Sequence, residues 1–236
     1  MSISEKIPAL KPNTGWREVA IEDCGEALVS INRECLGLST SFTRQIIVMP
    51  QYYHQGIEHA KAELFAREGV VARLIRVSQK LPDGYKLLIW DAWRPLEVQA
   101  ALYRKFEAQV KLENPTASPE KIAELTSKFV SLPSDNPQKP SPHFTGGSID
   151  LTIADSSGIP LNMGTEFDDF SEKAATSYFE DHTISSEIRG NRRMLYNLMV
   201  SEGFTNYSEE WWHFDYGNQF WGVIKGAKAI YGVPRL

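Results

Sequence analysis

His143 and Asp150 stand seven residues apart with Gly146-Gly147 between them, and this odd spacing constrains the chain more than any other feature. Successive side chains in a strand alternate between faces, so a continuous strand would aim the imidazole and the carboxylate in opposite directions. Two readings are open. In one, the chain bends at the glycine pair and both side chains arrive at one point. In the other, the glycines form a β-bulge, Asp150 is solvated and His143 is simply hydrogen-bonded.

A second block, Glu209-Glu210-Trp211-Trp212-His213, gives the first reading a chemical meaning. Two imidazoles and one carboxylate, here His143, Asp150 and His213, are a common ligand set for a catalytic zinc ion that keeps its fourth position for water. Glu210 is then a spare carboxylate placed to take a proton from that water. Its three-residue spacing from His213 suits the ends of one helical turn or the two sides of a bulged strand. At least one of Trp211 and Trp212 is expected in the core. Their bulk would lower the polarity around Glu210 and raise its pKa toward the range of a general base. The pattern points to metal-assisted hydrolysis, although no second histidine follows at the fourth residue, as a His-Glu-x-x-His helix would require.

The flanking segments predict a mixed architecture. The first forty residues are irregular. Apolar residues recur at helical spacing over 57–66 and again over 70–79, where Val71, Leu74, Ile75 and Ser78 share a face and Gly69 is a break. Pro82-Asp83-Gly84 is a turn, and Lys86 to Trp90 is a buried strand. Pro95 opens a helix with Val98, Leu102 and Phe106 inward, and Ser118-Pro119 opens another with Ile122, Leu125 and Phe129 inward. Four prolines between 133 and 142 then deliver the chain to His143 with restricted backbone freedom. Ser148 to Ile153 alternates as a strand with Ser148, Asp150 and Thr152 on its polar face. Asn191 to Glu202 is a helix stopped by Gly203, and Trp212 to Tyr216 alternates as a further strand. The order is not strictly βαβ, which favours an α+β fold, a small antiparallel sheet with packed helices.

Arg94, in Trp90-Asp91-Ala92-Trp93-Arg94-Pro95, sits between a buried strand and a helix, where loops carry function on a rigid scaffold. One reading has its guanidinium stabilise an oxyanion as water attacks; the other has it stack on Trp93 or pair with Asp91. His54, His59 and His182 lack the spacing of ligands. Cys24 and Cys35 are too few for a disulfide scaffold and are read as ordinary thiols. A net charge of −5 lacks the basic face that nucleic acid requires. With no apolar leader and no run of membrane-spanning length, the expected location is the cytoplasm, away from membrane.

Taken together, four stretches resemble the zinc D-alanyl-D-alanine dipeptidases, the family that includes the vancomycin-resistance dipeptidase. They are Leu87 through Pro95, Ser141 through Leu151, Met163-Gly164-Thr165-Glu166-Phe167-Asp168, and Asn191-Arg192-Arg193 through Phe214. The resemblance covers roughly the last two-thirds of the chain. It implies one zinc ion held by His143, Asp150 and His213, with Glu210 as base and acid and Arg94 polarising the scissile carbonyl. It further implies that Asp168 contacts the free amine of a small dipeptide substrate and that Ser141 lies near its carboxylate end. The fold implied is the α+β fold shared with other D-Ala-D-Ala metallopeptidases and the hedgehog signalling domain, as one catalytic domain over 1–236 with an irregular segment to about residue 45. The family's Tyr-Ala-Thr-x-x-Asn-Phe segment finds only a loose echo in Ser39 to Thr43. The rival readings are a D,D-carboxypeptidase or cell-wall endopeptidase with the same site, a hedgehog-like zinc-binding interaction domain, and a plain α+β binding protein without metal whose His/Asp polar face is coincidental.

Overall fold

A computed structural model describes residues 2–32, 45–127, 130–134, 136–169, 171–181 and 185–235. Cys35, His182, Phe129 and the stretch from Ser39 to Thr43 lie outside the described residues. In chain order the elements are β1 (Leu28–Ser30), β2 (Ile46–Val48), α1 (Gln51–His54), β3 (Phe65–Arg67), α2 (Glu68–Gln79), β4 (Lys86–Asp91), α3 (Leu96–Glu113), α4 (Pro119–Ser127), β5 (Ser148–Ala154), α5 (Ser186–Ser201), β6 (Thr205–Asn206), β7 (His213–Asp215) and α6 (Gln219–Lys225). Short 3₁₀ turns intervene, among them one at His143–Thr145.

Five strands form one sheet in the order β2-β4-β5-β7-β6, and β1 pairs with β3 in a separate antiparallel ribbon. The fold is α+β, as expected. The main sheet is antiparallel except at one edge, where β2 runs parallel to β4. A parallel neighbour needs a crossover rather than a hairpin, and the chain between them supplies one through α1, β3 and α2. Leu87, Ile89, Ile149, Leu151, Ile153 and Phe214 of the central strands join Leu74 and Val77 of α2 and Leu195 and Met199 of α5 in the main core. Every residue of β5 is buried, so its polar row has no access to bulk water except through a cleft.

Most expected elements form where the pattern placed them. The helix expected over 57–66 does not. Gly56 and His59 both have left-handed φ, near 70°, which no helix tolerates, and Leu64 and Ala66 are buried at the period of a strand. Gly69 is no break either; it lies inside α2, where a Cβ would come 2.7 Å from the Tyr231 hydroxyl. The last long helix starts earlier than its apolar stripe, at Ser186, because the Ser185 hydroxyl accepts the Ile188 N–H as an N-cap. Among the described residues no helix is long and apolar enough to cross a membrane.

The bend required between His143 and Asp150 is present. Gly146 adopts φ 75°, and the amide plane turns the chain from the 3₁₀ turn into β5. Gly147 is needed for a different reason, since a Cβ there would stand 2.5 Å from the backbone carbonyl oxygen of Tyr216. Gly147→Ala is therefore expected to cost about 1–3 kcal/mol and lower Tm by several degrees. Gly190→Ala, in α5 with open space around it, should leave Tm unchanged or raise it. Thermal denaturation of the two variants checks both signs.

Candidate metal centre and cleft

The register of three strands builds the site. Asp150 of β5 pairs with Asp91 of β4 on one side and with His213 of β7 on the other, so three ionisable side chains stand in one row across the sheet. The 3₁₀ turn swings His143 onto the same point. Its Nε2 lies 3.2 Å from His213 Nδ1 and 3.4 Å from Asp150 Oδ2, and His213 Nδ1 lies 3.0 Å from Asp150 Oδ1. Tetrahedral ligands at 2.0–2.1 Å from an ion would stand about 3.3 Å from one another. The three side chains thus already have the mutual spacing of a ligand set, and all three are buried.

The outer nitrogen of each imidazole is held. His143 Nδ1 donates to the Ala92 carbonyl at 2.8 Å, leaving Nε2 as the inward lone pair. His213 Nε2 stands 3.1 Å from both oxygens of Asp215, leaving Nδ1 inward. Asp215 also accepts from Ser148 Oγ and Asn218 Nδ2, each at 2.7 Å. Outer partners of this kind fix tautomer and ring orientation in metal sites. Burial works against charge on both Asp150 and His213, but their partners prevail. His143 and His213 hold the Asp150 carboxyl well below the usual carboxylate range, and Asp215 and Asp150 hold His213 well above the usual imidazole range.

Two candidate catalytic groups reach the same cleft. Glu210 lies in the tight loop between β6 and β7, where His213 N–H donates to its carbonyl and Asn206 Nδ2 donates to the carbonyls of both Glu210 and His213. Its Oε2 is 3.9 Å from His213 Nδ1, and the side chain keeps 24% of its surface through the cleft mouth. Burial, with added repulsion from Asp150 and Asp168, pushes its pKa up to about 8 against the attraction of His213 and Arg94. Trp211 and Trp212 are both core residues, where at least one was expected.

Arg94 is paired with Asp91 and also lines the cleft, so its two readings are not exclusive. Its Nε donates to Asp91 Oδ2 at 2.9 Å and its Nη1 to Gln99 Oε1 at 2.9 Å, while Nη2 lies 3.5 Å from Asp150 Oδ2. Asp168 sits on a loop across from it at φ 59° and accepts from the Tyr52 hydroxyl at 3.3 Å. Burial, then repulsion from Asp150, raises the Asp168 pKa to about 7. Ser141 is buried, its hydroxyl finds no partner among the described residues, and it is the neighbouring Pro142 that lines the cleft. His54 and His59 are exposed and take no part in the cluster, and Cys24 is a free exposed thiol.

Tyr52, Gln99, Tyr207 and Phe220 also line the cleft, and the sequence did not single them out. Tyr52 carries no local signal, because α1 reaches the site only through tertiary packing. Asp215 was legible in principle: two residues after His213 on one strand, it must share that face.

Because an ion takes the neutral imidazole while Asp215 and Asp150 favour the protonated form of His213, ion binding should release protons and weaken as pH falls. After exhaustive chelation, titration with zinc as probe should load a single ion per chain, and His143→Ala should abolish loading. Uptake unchanged by that substitution would remove the cluster from consideration.

A family model described as D-ala-D-ala dipeptidase, of the M15 peptidases, matches residues 55–227. The chain is 30% identical to a D-alanyl-D-alanine dipeptidase of Synechocystis, over 90% of this chain and 89% of the relative. It is 28% identical to a D-alanyl-D-alanine dipeptidase of Escherichia coli over 64% of this chain and 66% of that one. A protein of the same description from Enterococcus faecalis is 31% identical over 56% of this chain and 62% of its own length.

Proposed function

The chain belongs to the M15 peptidase family, and from that premise we propose that it is a zinc-dependent dipeptidase that hydrolyses D-alanyl-D-alanine to two molecules of free D-alanine. One observation carries the reading: His143, Asp150 and His213 converge at ligand spacing while Glu210 and Arg94 line the same cleft. The names of the relatives supply the substrate.

A zinc ion held by His143, Asp150 and His213 would supply a Lewis acid and lower the pKa of a bound water. Glu210 takes the proton of the attacking water and returns it to the leaving nitrogen, so that the C–N bond breaks to a free amine and a free carboxylate. Its half-buried carboxylate, with a pKa raised to about 8, suits both transfers. Arg94, held by Asp91 and Gln99, donates toward the carbonyl oxygen as negative charge develops there. Asp168 receives the substrate's ammonium. Ser141 is assigned to the carboxylate end by the resemblance; its hydroxyl is an uncommitted donor, buried next to Pro142 of the cleft wall.

The Asp168 assignment separates a dipeptidase from a carboxypeptidase or endopeptidase, whose substrate continues past that point. The presence of Glu210 and Arg94 in the cleft disfavours a purely binding role of the hedgehog kind.

Glu210→Gln should retain the ion and lose turnover by roughly 10²–10⁴-fold. Retained turnover would remove Glu210 from its role. Chelator-sensitive release of D-alanine from D-Ala-D-Ala, with the N-acetylated dipeptide left intact, is the direct test of the reaction. Equal cleavage of the blocked dipeptide would move the chain to the carboxypeptidases. Asp168 holds an ammonium only when ionised, and its pKa is raised. KM for the free dipeptide should therefore climb as pH falls through about 7, and Asp168→Asn should abolish that slope.

A further inference from the structure

Arg192 is a buried cation whose hydrogen-bond partners are all backbone carbonyls, with the Asp169 carboxylate acting on it through space. From α5 its Nε donates to the Met163 carbonyl at 2.8 Å, its Nη1 to those of Ala175 at 2.7 Å and Thr176 at 3.5 Å, and its Nη2 to that of Lys173 at 2.7 Å. Among the described residues no carboxylate bonds to it. Its guanidinium also lies 4.7 Å from the Phe179 ring and 5.8 Å from that of Trp211. Placing a guanidinium in the interior with no carboxylate hydrogen-bonded to it is costly. The four carbonyls it satisfies belong to a single stretch, residues 163–176.

That stretch carries Asp168. It leaves the core at Met163 and returns at Lys173 to Thr176, and Arg192 bridges both ends across its base. The returning end is tied to the β6–β7 hairpin by Trp211 N–H on the Ala174 carbonyl at 3.0 Å and by Thr176 N–H on that of Ser208 at 2.9 Å. Trp211 Nε1 adds a bond to Thr165 Oγ1 at 2.7 Å, and Trp211 is the residue after Glu210. Between these anchors Phe167 packs on Trp90 and Trp212, and Asp168 is held in its left-handed conformation over the cleft.

We infer that Arg192 is a positioning residue: by clamping both ends of the 163–176 loop to α5, it sets where Asp168 stands relative to Glu210 and so governs recognition of the substrate's free amine. The inference rests on the amine-holding role proposed for Asp168. Lysine cannot replace this arginine, since one ammonium has neither the planar fork nor the reach to serve four carbonyls at once.

Arg192→Lys is the first variant and Asn191→Ala the milder second, since Asn191 Nδ2 donates to the Asn162 carbonyl at the loop's entrance. For Arg192→Lys the expected result is a rise of roughly 10- to 100-fold in KM for free D-Ala-D-Ala with a much smaller change in kcat. In an Asp168→Asn background the same change should add almost nothing, because the two residues act through one contact. Hydrogen exchange should rise over 163–176 while bound zinc stays stoichiometric. Asn191→Ala should shift KM and exchange in the same direction by less. An additive loss in the double variant, or a fall in kcat at unchanged KM, would assign Arg192 a purely structural role and overturn the inference. Unchanged exchange over 163–176 would overturn it as well. Absence of turnover in the unsubstituted protein would sink the dipeptidase reading instead, and exchange would still decide whether Arg192 holds the loop.

Discussion

Pairing of β5 with β7 in the register that sets Asp150 opposite His213 is the interaction on which the rest of this molecule depends. A slip by one residue would turn Asp150 and Thr152 into the apolar core and expose Ile149 and Leu151 to the cleft. The register is protected from both sides. On one face Ile149, Leu151 and Phe214 are committed to the core, and on the other Ser148, His213 and Asn218 all bond to Asp215. The site and the fold are therefore stabilised by the same pairing, and neither can shift alone.

A buried cluster of carboxylates and imidazoles is expensive, and the surrounding structure is arranged to satisfy it. Asp91 serves Arg94 and lies within 3.4 Å of His143, so one carboxylate orients a cation and a candidate ligand. The loop after β4 is sewn to the 3₁₀ turn by Arg94 N–H on the His143 carbonyl and by Trp93 Nε1 on that of Phe144. Behind the turn, Arg67 is almost wholly buried and donates to the carbonyls of Thr145, Glu26 and Gly232 and to Asp23. It thus ties the irregular N-terminal segment, the His143 turn and the C-terminal stretch together. Both fully enclosed arginines, Arg67 and Arg192, do for loops what helices and strands do for themselves, which is to satisfy backbone carbonyls away from water.

Much of this was legible in the residues. The odd His143–Asp150 spacing demanded a bend, and Gly146 supplies it with a positive φ. The alternation of Ser148 to Ile153 placed Asp150 on a polar face, and that face is where the cleft lies. The helical stripe over 57–66 misled, because apolar spacing in a short window does not distinguish a helix from a chain that dips into the core between turns. Gly69 misled for a related reason. Its small size answers a contact with Tyr231, far away in the chain, and not a local need to end a helix.

What the sequence determined by itself was chemistry and local geometry: which side chains could ligate, which could move a proton, where the chain had to bend, and which faces were apolar. These follow from residue type and from periods of two and 3.6, which act over a few neighbours. Only the tertiary structure decided the partners. That Ala92 and Asp215 hold the outer imidazole nitrogens, that Tyr52 meets Asp168, and that Arg192 braces the loop opposite Glu210 are long-range pairings. They arise because burial forces every polar group brought into the interior to find a complement there, and no local pattern says which one it will be.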